Sequence, residues 1–325
     1  MTVISPTNDL TAFIPEVYSK KLARVAKKFS KFIERNCNRE WEGEIRAFGD
    51  VVRIALPDPS NIAIAMGTNT KDVCPVASGV EPTETALEIN HIATYSLKFS
   101  DVDQVQSQFN LLEGYNGLAM QKIGDRKDKQ VMVALINDAK VGKIGTAAAP
   151  QAVTKDTIYD QVIDAKIKLM NAGAINGEGF YSFKGNSEEV EYLAPVLTVS
   201  PAIYGLMLKS TQLTHPTVAG DNVIKAGEQA MMGGFEIDVN TVLTAINKDL
   251  DTGLALDVPE VAGLADGAEI AIACTKMAIT YANQYTKVEK LRDPDCFADI
   301  IRALELYGFE VIHPESAVIL FLTQA

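Results

Sequence analysis

Thr85-Ala86-Leu87-Glu88-Ile89-Asn90, resumed by Tyr95-Ser96-Leu97-Lys98-Phe99, alternates apolar and polar side chains as a half-buried strand does. The alternation stops at Ser100-Asp101-Val102-Asp103, where a helical period takes over. Ser100 followed three residues later by Asp103 resembles a capping box with Asp in the usual Glu position, and it sets two carboxylates at the positive end of the helix. Val102, Val105, Phe109, Leu112, Ala119 and Ile123 then recur at spacings that keep one apolar stripe on one side. Unbroken to about Asp138, such a helix is roughly 55 Å long at 1.5 Å per residue. That exceeds the diameter of a small domain, so part of it is expected to pack on something outside its own core.

At 325 residues the chain is longer than a single core usually grows, and two packed subdomains are expected. With 47% hydrophobic and 22% charged residues it has the composition of an ordinary globular protein. A net charge of −12 repels nucleic acid unless bases are locally concentrated. They are concentrated once, at Lys20, Lys21, Arg24, Lys27, Lys28, Lys31 and Arg35. Pro15 and Glu16 suit the first turn of a helix there, and Val17, Leu22, Val25, Phe29, Phe32 and Ile33 give it an apolar stripe to about Asn36. Two readings stand for the bases: a solvated helix face, or a contact with DNA or an acidic partner segment.

Cys37, Cys74, Cys274 and Cys296 lie far apart with no CxxC pair, which favours buried, reduced thiols and a reducing cytosol. The first residues lack a secretory pattern, and no apolar run approaches the length of a membrane span, so no membrane partner is expected.

Along the chain, Val51–Leu56 reads as a strand ended by Pro57-Asp58-Pro59. Residues 57–84 then form a long loop without a period, which is unusual inside a compact domain. Its Ile62, Ile64, Met66, Val73, Val76 and Val80 need cover that a polar-flanked loop cannot supply, and another protein molecule is the expected cover. Gly142 and residues 145–150 read as a linker, and Asp156–Ala172 as a second amphipathic helix stopped by Gly173. Asn176-Gly177 is a turn signal. Ala194–Val199 reads as a short buried strand, Pro201–Leu208 as a helix and Phe235–Val239 as a strand. Residues 250–266 read as an acidic loop, and from Ala268 the chain is apolar and rich in strands. Phe297, Ile300, Ile301 and Leu304 fit a helical period, yet residues 295–306 also fit alternation; both readings stand.

Catalytic signatures are missing. There is no Walker A sequence, and Gly177-Glu178-Gly179 lacks the third glycine of a dinucleotide fingerprint. His91, His215 and His313 are isolated from one another and from cysteine at ligand spacing, and no serine sits in nucleophile-elbow glycines. Asp293-Pro294-Asp295 reads as a turn, Asp101-Val102-Asp103 as a helix cap and Glu188-Glu189-Glu191 as a solvated acidic loop. No catalytic residue, cofactor or metal ligand is assigned.

Leu97-Lys98-Phe99-Ser100-Asp101-Val102-Asp103-Gln104-Val105-Gln106 resembles the start of the spine helix in tailed-phage major capsid proteins of the HK97 type. Four further segments resemble that family in order. Phe13–Leu22 is similar to its N-terminal arm, and Trp41–Ile45 with Gly49–Ile54 to the ascending strand of its E-loop. Leu197–Ala202 with Gly233–Ile237 resembles landmarks of its A (axial) domain, and Thr286–Asp299 with Tyr307–Glu315 the returning strands of its P (peripheral) domain.

The resemblance implies an α+β, HK97-like capsid fold. It implies an N-terminal arm over 1–40, an E-loop hairpin over 41–100 and a P-domain spine helix over 101–145. An A domain over 146–266 and P-domain returning strands over 267–325 complete it. It favours strand over helix at 297–307, with Gly308 at a break before the last strand. It makes 57–84 the E-loop that lies over a neighbouring subunit. The implied function is a major capsid protein, not an enzyme, that self-assembles as pentamers and hexamers into the icosahedral or prolate head of a tailed phage or prophage. Its place is then the virion, after assembly in the host cytoplasm. The implied partners are packaged double-stranded DNA contacted non-specifically, a separate scaffolding protein, a portal and decoration proteins. The candidate intersubunit residues are Ile62, Ile64, Met66, Val73, Val76 and Val80. The candidate scaffold- or DNA-facing bases are Lys20, Arg24, Lys27 and Lys31. An encapsulin-type nanocompartment shell is the same-fold alternative, and a cytosolic enzyme with an unrecognised site the remote one.

Overall fold

The computed structural model describes residues 31–42, 51–56, 83–101, 111–174, 180–183, 190–210, 231–246, 261 and 263–324. In chain order the elements are α1 (Phe32–Asn36), β1 (Cys37–Asn38), β2 (Val51–Leu56), β3 (Thr83–Glu88), β4 (His91–Ser100) and α2 (Leu111–Asn137). There follow β5 (Gly142–Ile144), β6 (Gln151–Val153), α3 (Ile158–Asn171), β7 (Phe180–Phe183), β8 (Val190–Leu193), β9 (Val196–Val199) and α4 (Pro201–Leu208). The last are β10 (Met231–Met232), β11 (Phe235–Val239), β12 (Ala268–Cys274), β13 (Ile279–Arg292), β14 (Ala298–Val311) and β15 (Ala317–Gln324).

Two sheets organise the described residues. The larger has the order β10-β11-β9-β12-β15-β5, with β6 also pairing with β15. Its central strands are buried on both faces, which is why Ala268–Cys274 and Ala317–Leu322 read as near-continuous apolar runs. Ile270, Ile272, Ile319 and Phe321 join one core with Val131, Met132, Leu135 and Ile136 of α2. Ala271, Ala273, Val318, Leu320 and Leu322 join the other with Val162 and Leu169 of α3 and Ile203 and Met207 of α4. Each residue step therefore switches core, as the pleat requires. Ser200 caps α4 by accepting from the Ile203 N–H, with Pro201 in the first turn. Gly173, at φ +75°, ends α3 as a left-handed residue.

The smaller sheet runs β1-β13-β14-β4. Residues 298–311 form one long strand, antiparallel to both β13 and β4, so alternation wins over the helical period there. The long helix ends at Asn137, close to the expected Asp138; its expected start at Ser100–Asp103 and the stripe residues Val102, Val105 and Phe109 lie outside the described residues, apart from Ser100 and Asp101.

Four readings need correction. Gly308 is not a break: β14 runs through it, paired with Ala282, and a Cβ there would overlap the Glu88 carbonyl. Glycine is required because a third backbone crosses at that point. The supposed linker at 142–150 contains β5, which with β6 just beyond it adds parallel pairing to β15. Cys296 is exposed, because it sits in the turn joining β13 to β14, whereas Cys37 and Cys274 are buried. Glu191 lies in β8, opposite Ser182 of β7, rather than in a loop. Beyond these, β12 and β15 share one sheet with β9 and β11. Their apolar runs are long enough to cover the two helices on one face and α2 on the other.

Candidate assembly surfaces

The exit of the N-terminal segment is pinned from three sides. Asp128 of α2 is buried and accepts from the Phe32 N–H at 2.9 Å and the Ile33 N–H at 3.4 Å, capping α1 from a helix 96 residues away. Asn36 donates to the Thr198 hydroxyl of β9 at 3.1 Å, and Arg35 pairs with Asp238 of β11 at 2.9 Å. β1 then adds to β13 in parallel. Burial raises the Asp238 carboxyl above its usual range, against the pull of Arg35 and Lys31.

α2 lies on the smaller sheet through polar contacts at fixed points. Tyr95 donates to Asn116, Tyr307 donates to Gln130, and Lys127 pairs with Glu305 at 2.5 Å. The last pair is largely withdrawn from water, with 15% and 7% side-chain exposure. Burial, then the Glu305 carboxylate, pushes the Tyr307 phenol up to about 12. Tyr281 is raised for the same two reasons in the same order. Both phenols stay protonated at neutral pH, and Tyr307 serves as a donor to Gln130.

At the far end of this sheet the turn Asp293–Phe297 is held closed. Asp293 N–H donates to the Ala298 carbonyl, Asp295 N–H to the Asp293 carboxylate, and Asp101 N–H to the Phe297 carbonyl. Lys98 pairs with Asp293 at 2.5 Å, Lys290 with Asp299 at 2.9 Å, and Arg292 with Asp101 and Asp299. The hydrogen bond from Lys98, then that from the Asp295 N–H, holds the Asp293 carboxyl below its usual range. This ordered turn presents Phe297 at 84% exposure.

No group of three His, Cys, Asp or Glu among the described residues is placed to hold a metal ion, and no described helix is long and apolar enough to cross a membrane. Burial pushes the Cys274 thiol up to about 12 and raises Cys37 well above its usual value, which removes both as nucleophiles at neutral pH. His91 is lowered by burial and stacks on Phe309 at 4.7 Å between ring centroids.

Of the residues singled out from sequence, Lys31 lies beside the start of α1, while Lys20, Arg24 and Lys27 lie outside the described residues. So do Ile62, Ile64, Met66, Val73, Val76 and Val80, between β2 and β3. Their flanking strands form a six-pair antiparallel ribbon, with Ile54 and Leu87 packed against Ala282 and Ile312. Sequence reading missed Asp128, whose capping partner is remote, and Phe297, which it counted in an apolar period. The signal for Phe297 was its place one residue before the strand, after Asp293-Pro294-Asp295.

No family model matches the chain, and no curated protein matches it. Solved structures do. A chain of Mycobacterium phage Che8 aligns with a TM-score of 0.72 at 22% identity, over 95% of this chain and 97% of that one. The capsid structure of cyanophage P-SCSP1u gives 0.69 at 12% identity, over 99% and 97%. The mature capsid of bacteriophage PhiM1 gives 0.65 at 14% identity, over 95% and 92%. The chain thus follows these phage structures nearly end to end, and it has their α+β, HK97-like fold.

Proposed function

We propose that the chain is a major capsid subunit that builds the head shell of a tailed phage or prophage around double-stranded DNA. The observation that carries this is alignment with phage structures over almost all of both chains. The role is structural rather than catalytic, and its place is the virion. Residues 1–40 act as an arm, 41–100 as the E-loop hairpin, 101–145 as the spine, 146–266 as the A domain and 267–325 as returning strands. Head-to-tail contacts of one chain type close into rings, the pentamers and hexamers of such a shell. Ile62, Ile64, Met66, Val73, Val76 and Val80 lie against a neighbouring subunit in this reading. Lys20, Arg24, Lys27 and Lys31 meet a scaffolding segment or DNA. The net charge of −12 keeps the bulk of the wall from binding the packaged genome.

Negative-stain microscopy of the expressed chain tests the reading. Large closed particles are expected. A chain that remains monomeric at high concentration, alone and with its neighbouring genes expressed, overturns it. Particles filled with protein cargo rather than DNA in infected or induced cells point to the encapsulin-type alternative.

A further inference from the structure

One cavity and one exposed turn complement each other in shape and charge. The cavity, of about 860 Å³, is lined by α2 together with β4, β13 and β14. Leu97, Ile123 and Leu304 give it apolar wall, and Lys122, Arg126 and Arg302 give it positive charge. Its lining also holds Glu289, which Lys287 of the same wall pairs with. The lining is therefore net positive on a chain of −12. The turn Asp293–Phe297 offers the converse: an aromatic ring 84% exposed with the exposed Asp295 beside it, Asp293 being turned inward onto Lys98. Its backbone is already ordered by the bonds described above, so seating it costs little conformational entropy. A large exposed aromatic on a rigid turn has the character of an interface anchor, and anchors gain most in an apolar pocket with matched charge around it.

We propose that the Asp293–Phe297 turn of one subunit seats in this cavity of a second copy, Phe297 filling the apolar wall and Asp295 facing Lys122, Arg126 and Arg302. The turn and the cavity are distinct patches along the same β13–β14 hairpin, so repeating the contact from copy to copy makes it head-to-tail. It rests on the reading that copies of the chain assemble.

Cys296, exposed beside Phe297, makes the contact trappable. Ala119 lines the cavity, and Ala119→Cys places a second thiol there. Mild oxidation of the purified A119C chain is expected to give a ladder of disulfide-linked multimers. C296S added to A119C removes the ladder. Phe297→Ala on the A119C background weakens it by about tenfold, as loss of an aromatic anchor does, without lowering the melting temperature. R302E weakens it in a salt-dependent way. Absence of a disulfide between the introduced thiol and Cys296, whether or not particles form, overturns the contact. A ladder that F297A and R302E leave unchanged also overturns it. A ladder without particles preserves the contact and overturns the shell reading instead.

Discussion

Gly308 shows how one residue can carry a crossing of three strands. Its φ is not in the left-handed region, and its neighbours in β14 are ordinary strand residues, so turn chemistry does not explain it. The Glu88 carbonyl fills the space that a side chain would take, at the point where the β2–β3 ribbon hands over to β4. Gly308→Ala is therefore expected to destabilise the chain by about 1–3 kcal/mol through overpacking, although alanine favours a strand as well as glycine does. Urea unfolding checks this: a midpoint equal to that of the parent means the crossing yields freely. The neighbouring feature, the cap that Asp128 places on α1, is equally local in effect and remote in origin. Neither was legible in the chain read linearly, since each depends on a partner brought close only by the fold.

At the scale of elements, α2 and the smaller sheet are held in register by three side-chain contacts rather than by a clean apolar stripe. The predicted stripe reaches Ile123, which is buried, but the helix is buried most completely at residues 131–136, where Val131, Met132, Val133, Leu135 and Ile136 enter the core. A segment surrounded on all sides carries no amphipathic period, so periodicity could not find it. β14 was ambiguous for a related reason: a short apolar run fits both periods until its pairing partners are known. By contrast β4, half-exposed with an alternating burial pattern, and α4, opened by Ser200-Pro201, were plain in the sequence. The Lys127–Glu305 pair gives a direct test. Glu305→Ala leaves a buried ammonium without its carboxylate and should cost about 3–5 kcal/mol. The double replacement Lys127→Met with Glu305→Leu should recover most of that loss, because two apolar side chains need no desolvation. A thermal-melt double-mutant cycle measures both. Strict additivity of the two losses means that the pair does not couple helix to sheet.

For the whole molecule, the described residues gather mainly on the two large sheets. Two cores meet across β12 and β15, and they account for the apolar runs of the last sixty residues. The apolar residues between β2 and β3 lie outside the described residues, and the ribbon that flanks them is packed through Ile54 and Leu87 on Ala282 and Ile312. Replacing residues 61–80 by a short Gly-Ser link should therefore leave a soluble chain with the parental melting temperature, because the paired strands stay and loop shortening carries a small entropic term. If the segment lies against a neighbouring subunit as proposed, the same chain should form no closed particles, since a shell depends on many modest contacts acting together and this one would be lost from every subunit pair. Light scattering and microscopy on the same preparation read the two outcomes separately. Misfolding of the shortened chain places 61–80 in its own subunit's core. Normal particles built from it mean that the segment carries no assembly energy, and that the contacts closing the shell lie in the described sheets and their hairpin turn.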